Sequence, residues 1–452
     1  MESIGRSPRE GKTGKGLSRF GFALCLLCAL SFAFVLPEFA PISAEGAPRV
    51  VTKTPDGKKT VRRTRLHRKK TVKRRAVSLF AGGQGTARSP WTIRTEAQLR
   101  AFAASVNGGR NYAGKHIRLT ANVDLGGRAW APIGFSRIGR TLAFSGVFDG
   151  NGRTISGLSL KHVGKDPVGL FGTLSGAYVY NLTVEDAEVN GVVEVGILAG
   201  AAQKSTVKNV SVSGAVAGSQ NVGGLIGNAV ECRLLNSEFI GKVKGAGASA
   251  GGIAGGAFGS ILMHVSVSDS SIEGRENVGA MAGTFQAGLL QNVGVERCVV
   301  TGTENVGGVA GAAAGPIQFQ SVAFDGNVEG VENVGGVLGL NAQGTVKDAS
   351  VQGNVRGTNQ VGGAFGLWRG GTALRCISTA SVNGRANVGG VAGQMEKGLL
   401  DRCTSDEEVR GGDIVGGLIG RYVGGRYTNC QPSTSVHTGL KGGREIGNES
   451  ER

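Results

Sequence analysis

Val222-Gly223-Gly224-Leu225-Ile226-Gly227 is answered later in the chain by Val306-Gly307-Gly308-Val309-Ala310-Gly311, and the same phrase returns at residues 334–339, 388–393 and 415–420. Looser copies start at Val168, Val195, Ala250, Val278 and Val361, so that ten copies follow one another at intervals of 27 or 28 residues. A period held to one residue over ten copies marks an array of units that stack on one another. Inside a unit the pattern has period two: Val210, Val212 and Val216 alternate with Asn209, Ser211 and Ser213, and Ser237, Phe239 and Val243 repeat the arrangement one unit on. Period two is the pattern of a half-buried strand. Glycine at this density inside helices would cost about 1 kcal/mol per residue, which argues against helical repeats. The sequence therefore predicts an all-β chain wound as a parallel β-solenoid (β-helix) of about ten 27–28-residue coils, each with about three short strands. Stacked residues would stand ~4.8 Å apart and the ten coils would run about 48 Å.

Composition agrees. Glycine supplies 80 of 452 residues, but proline only 10, which excludes a collagen helix. With 40% of residues hydrophobic, the chain is not a disordered linker. Few aromatics (6%) and many small aliphatics suit a slim core.

Stacking turns each repeated position into a column. Asn221, Asn277, Asn305, Asn333 and Asn387 each precede the valine of their phrase. Asparagine tolerates the left-handed conformation of a tight corner, and its amide can bond to the amide one coil away. The glycine pair after the valine permits a sharp corner or a close backbone approach. Cys376, Cys403 and Cys430 lie 27 apart and form a column of thiols, read as core residues because free cysteine is commonly buried. Glu276, Glu304 and Glu332 lie 28 apart. Such a ladder of carboxylates repels itself and would suit calcium, which takes oxygen ligands; the plainer reading is a solvated edge relieved by Arg275 and salt.

The phrase resembles the GLUG repeat, named for Gly-Leu-x-Gly; Gly169-Leu170-Phe171-Gly172 and Gly417-Leu418-Ile419-Gly420 match it directly. The segment ahead of the repeats resembles the leader that precedes such arrays: Trp91-Thr92-Ile93, Tyr112-Ala113-Gly114-Lys115, Val123-Asp124-Leu125, Trp130-Ala131-Pro132-Ile133-Gly134 and Phe148-Asp149-Gly150-Asn151-Gly152. The resemblance covers roughly residues 90–430. It implies an exported bacterial surface protein, adhesin-like or similar to the repeat region of IgA-cleaving zinc peptidases, in which a separate domain cuts.

Outside the repeats, Thr95-Glu96-Ala97-Gln98 reads as a capping box opening a helix with Leu99, Phe102 and Val106 on one face and Gly108 at its end. Laid over the first coil, this helix would cover an otherwise open edge. The chain divides into residues 1–44, a signal peptide or signal anchor with an apolar run from Phe20 to Leu36; 45–75, a basic linker; 76–165, the cap and first coils; 166–430, the repeats; and 431–452, a closing coil or tail. Residues 49–75 hold thirteen Lys and Arg against Asp56 and account for twelve of the seventeen net positive charges. The body is thus nearly neutral, which argues against specific nucleic-acid binding. Arg62, Arg63, Arg65, Lys69, Lys70, Lys73, Arg74 and Arg75 are the candidate contacts to anionic envelope polymers or lipid; the alternative is a solvated spacer.

No catalytic constellation emerges. The five histidines, at 67, 116, 162, 264 and 437, form no His-Glu-x-x-His pair, and the glycine-rich stretches lack the Gly-Lys-Ser/Thr ending of a phosphate loop. Asp149 is read as a turn former, and Trp368 is the one tryptophan of the repeats. The expectation is a non-enzymatic, cofactor-free protein at the cell surface or secreted, presenting a repetitive face to glycans, matrix or neighbouring cells. A polysaccharide lyase or hydrolase and a purely structural envelope component are the alternatives.

Overall fold

The computed structural model describes residues 78–137, 140–439, 442–443 and 445–447. The chain divides into two units, residues 1–73 and 74–452, and every described residue belongs to the second. The predicted signal segment and the basic stretch lie outside the described residues.

The second unit is a parallel β-solenoid. One representative coil consists of strands Gln220–Gly223, Ile226–Val230, Arg233–Leu235 and Glu238–Gly245, four where the sequence pattern suggested about three. The extra division arises at a corner inside the longest alternating run, which the glycines do not mark. The Val-Gly strands, from Val193–Val195 to Gly442–Gly443, form a ten-stranded parallel ladder, and a second, 29-stranded sheet carries the other faces. The pairing is in register: Val222 sits on Ala250, Ala250 on Val278, Val278 on Val306 and Val306 on Val334. These side chains are at most 1% exposed.

The winding extends beyond the repeats. Trp91 pairs with Ile117, Ile117 with Phe148 and Phe148 with Val179, and the column then runs through Val207 and Leu234 to Leu400 and Tyr427. The solenoid thus has about twelve turns, with the leader supplying its first rungs. At the other end Gly442 and Gly443 pair with Val415 and Gly416, and Ile446 bridges Ile419, which adds a closing rung.

In this coil all three glycines of the phrase are set by close approach, although the middle position holds Leu170, Ile197 and Ala280 in other coils. A Cβ on Gly223 would collide with the carbonyl oxygen of Ile226, one on Gly224 with the carbonyl of Gly252 and the ring of Phe239, and one on Gly227 with the backbone of Glu194 and Val195. The corner before the valine needs the left-handed conformation: φ is 50° at Asn221, 52° at Asn277, 54° at Asn305, 53° at Asn333 and 53° at Asn387. Asn305 donates through Nδ2 to Asn277 Oδ1 at 2.9 Å, and Asn333 donates to Asn305 Oδ1 at 2.8 Å, so the expected amide ladder is formed.

The helix spans Glu96–Asn107, capped by Thr95, whose hydroxyl accepts from the Gln98 amide at 3.3 Å. The Gln98 side chain reaches back to the amide of Arg94, one residue earlier than in the usual capping box. Leu99, Phe102 and Val106 are buried as expected, together with Ala103. Gly108 keeps a right-handed conformation, and Gly109 takes the positive φ of 107°. Burying each large apolar side chain contributes about 1.5–3 kcal/mol, enough to fix so short a helix on the end of the rod. Aromatic residues, scarce elsewhere, gather at this end: Phe80 stacks on Trp91 at 4.9 Å, and Phe102 meets Phe144 edge-on at 5.6 Å.

Candidate functional site

A second corner column, which the sequence reading passed over, lies on the outside of the rod. Asn181, Asn209, Asn236, His264, Asn292, Ser321, Asp348, Arg375, Arg402 and Asn429 all have positive φ, between 48° and 55°. Each stands one residue before the position that holds cysteine in the last three coils. Asn209 donates to Asn181 Oδ1 at 3.0 Å, Asn236 to Asn209 Oδ1 at 3.1 Å, and Arg375 holds Asp348 through Nε at 2.6 Å and Nη2 at 2.9 Å. The repeating asparagines were the available signal; the later members vary too much for spacing alone to reveal the column.

The bend beside this corner forms a groove of about 620 Å³, lined by Asn181, Thr183, Asn209, Ser211, Asn236 and Glu238 together with Leu182 and Val210 among others. Ser211 donates to Glu238 Oε1 at 2.7 Å, so neighbouring coils are linked across the groove. A pair of hydrogen-bonding side chains recurs there at each rung (Asn181 and Thr183, Asn209 and Ser211, Asn236 and Glu238, His264 and Ser266), an arrangement able to exchange hydrogen bonds with a ligand that is itself rich in hydroxyls.

The other candidate positions sort differently. Glu276 sits on Glu304 and Glu304 on Glu332, as the spacing required, and Arg275 Nε lies 3.8 Å from Glu276 Oε1. No group of three or more His, Cys, Asp and Glu that could hold a metal ion occurs among the described residues. Arg62, Arg63, Arg65, Lys69, Lys70, Lys73, Arg74 and Arg75 lie outside the described residues. His264 shares the outer corner with Asn292, whose amide is 3.2 Å from its Nε2; His162 lies against Asp166 and His437 against Glu408.

The thiols are free. Cys376 and Cys403 are buried, Cys430 is half-buried, and the Cys403 amide donates to Cys430 Sγ at 3.4 Å. The Cys376 sulfur beside Cys403, with burial adding to it, pushes the Cys403 thiol up; the Cys403 sulfur does the same to Cys430. Burial raises Cys232 and Cys298. These thiols are therefore kept protonated, as core residues are.

Asp149 behaves as a turn former and more. Its Oδ1 accepts from the Asn151 amide at 2.8 Å, while its Oδ2 accepts from Arg118 Nε at 2.7 Å. Burial, and then the Asp149 charge, raise the Tyr180 hydroxyl above the ordinary tyrosine range, and the Tyr180 ring stacks on Tyr178 at 4.7 Å. Trp368 is fully buried against Phe365, with ring centroids 4.5 Å apart, and offers no platform to a ligand.

No protein-family model matches the chain. It is 39% identical to halomucin of Haloquadratum walsbyi over 161 residues, which are 34% of this chain and 2% of halomucin. It is 41% identical to the immunoglobulin A1 protease of Streptococcus sanguinis over 75 residues, 16% of this chain and 4% of that protein. The likeness expected to the IgA-cleaving peptidases is therefore found. Among solved structures, the A-module of a mannuronan C-5 epimerase from Azotobacter vinelandii aligns with a TM-score of 0.37 at 12% identity, covering 80% of this chain and 98% of the module. The chain spans only a few per cent of the length of these two curated relatives.

Proposed function

We propose that this is an exported, adhesin-like binding protein of the GLUG-repeat kind that presents its repetitive outer corner to glycans on neighbouring surfaces. The observation that carries the reading is the outer column Asn181–Asn209–Asn236 with its groove, in which hydrogen-bonding groups recur at every coil. A ligand with a repeating structure would engage several rungs at once, and linked weak contacts reach an avidity that no single rung has. Export rests on the basic start of the sequence and the apolar run from Phe20 to Leu36. The basic residues from Arg62 to Arg75 would hold the protein to anionic polymers or lipid, each contributing about 1 kcal/mol near an anionic surface.

The test is a glycan array probed with the full chain and with variants carrying serine at Asn209, at Asn236 or at both. Binding that weakens a few-fold per substitution and more steeply for the pair supports the reading. Turnover of an acidic polysaccharide, abolished by one local substitution, would replace it with an enzyme.

A further inference from the structure

The inner corner column that holds Asn221, Asn277, Asn305, Asn333 and Asn387 opens one coil earlier with a different residue, Glu194, also left-handed at φ 52°. Among the nine left-handed residues that precede the valine position from Val195 to Val415, it is the only charged one. Glutamate lacks the local bonding that eases asparagine into this conformation, so the position carries strain. The carboxylate is partly buried and accepts one hydrogen bond, from Asn228 Nδ2 at 2.7 Å. Among the described residues Asn228 is its one side-chain partner, and burial raises its proton affinity above the ordinary carboxylate range.

Glu194 lines a cleft of about 510 Å³ where the segment after the hairpin Phe135–Arg137/Arg140–Leu142 meets the stacked strands Phe171–Ser175, Ala199–Gln203 and Ile226–Val230. It is the only charged residue among the described residues of that lining. Two further polar atoms there are buried without a hydrogen-bond partner: Thr173 Oγ1, in a residue 8% exposed, and Asn228 Oδ1. Native proteins rarely leave such groups unmatched, and a carboxylate without a cation costs still more. Strain, a charge with no cationic partner among the described residues and two orphaned polar atoms in one cleft violate local rules together, as functional positions do.

We propose that this cleft binds an unacetylated amino-sugar unit, with its ammonium on the Glu194 carboxylate and its hydroxyls on Thr173, Asn228 and the neighbouring Ser145 and Ser175. This rests on the glycan-binding reading above and names the sugar that one site selects. A cation matches the lone carboxylate through a charge-assisted bond. Hydroxyls both donate and accept, which serves Asn228 Oδ1 and Thr173 Oγ1 alike. The volume lies in the range of small-ligand sites. One carboxylate is too few for a calcium cage.

Calorimetric titration of the full chain with a glucosamine trimer, its fully N-acetylated counterpart and lysine amide tests the assignment. The glucosamine trimer should bind at least tenfold more tightly than either of the others. Glu194→Gln should lose that preference. Glu194→Asn should lose it as well while raising the melting temperature, because it restores the corner residue of the following rungs. Equal binding of the acetylated trimer or of lysine amide, unchanged affinity in Glu194→Gln, or no binding of any probe would overturn the proposal. Array binding that persists in Glu194→Gln and falls with Asn209→Ser would then leave the outer-corner reading standing.

Discussion

Replacing Asn305 by alanine probes the inner ladder where it is most complete. Asn305 is 8% exposed, adopts φ 54°, donates to Asn277 and accepts from Asn333. Alanine in a left-handed conformation costs roughly 1 kcal/mol. The change also strands Asn277 Oδ1 and the Asn333 amide, and buried polar groups left unmatched cost about 1–3 kcal/mol each. Water reaches one side of the column, so the lower end of that range applies and the expected loss is about 3–4 kcal/mol. Asn209→Ala is the control: it has the same handedness and a similar ladder, but an exposed side chain whose partners water can serve, so about 1 kcal/mol is expected. Because stacked arrays need not unfold in one step, amide hydrogen exchange at Val278, Val306 and Val334 should be read beside the urea midpoint. Equal losses for the two substitutions, or less than about 1 kcal/mol for Asn305→Ala, would refute the argument that burial makes the inner ladder matter.

Two further outcomes follow from the same structure. Site-resolved alkylation of the native protein at mildly alkaline pH should modify Cys430 first and leave Cys232, Cys298, Cys376 and Cys403 intact until urea is added, since Cys430 is only half-buried whereas the other four are at most 1% exposed and out of reach of the reagent; rapid labelling of Cys376 would contradict the core-column reading. Because the folded state raises the Glu194 affinity for its proton, it binds that proton more tightly than the unfolded chain does, and stability contributed at low pH is lost as pH rises from the ordinary glutamate range through the raised value. Urea midpoints of the wild-type chain and Glu194→Gln should therefore diverge across that window, with the variant the more stable above it, and parallel profiles would show that the carboxylate is not strained by burial.

The repeat phrase made the winding legible because its requirements are local. Gly223 and Gly227 leave no room for a Cβ, and every copy of the phrase keeps glycine at the positions that stack on those two; Asn305 suits a left-handed corner, and five of the copies place asparagine there. The outer corner was hidden because register imposes its conformation on whatever residue arrives, including Ser321, Arg375 and Arg402, which have no preference for it. The first coils, expected within residues 76–165, could not be counted for a different reason: Trp91, Ile117 and Phe148 are 26 and 31 residues apart, and their loops break the period that identifies the later coils. The Glu194 cleft depends on Asn228, 34 residues away, and on the segment after a hairpin outside the repeat, so no motif in the sequence points to it.

Successive excision of whole coils tests the stacking most directly. Removing residues 306–333, 306–360 or 306–387 joins Asn305 to Val334, Val361 or Val388, each of which occupies the same rung position. Small-angle scattering should show the folded rod shortening by ~4.8 Å per coil removed, with the β-sheet spectrum unchanged. Loss of the folded state on removing one coil, or a length indifferent to the number removed, would contradict it.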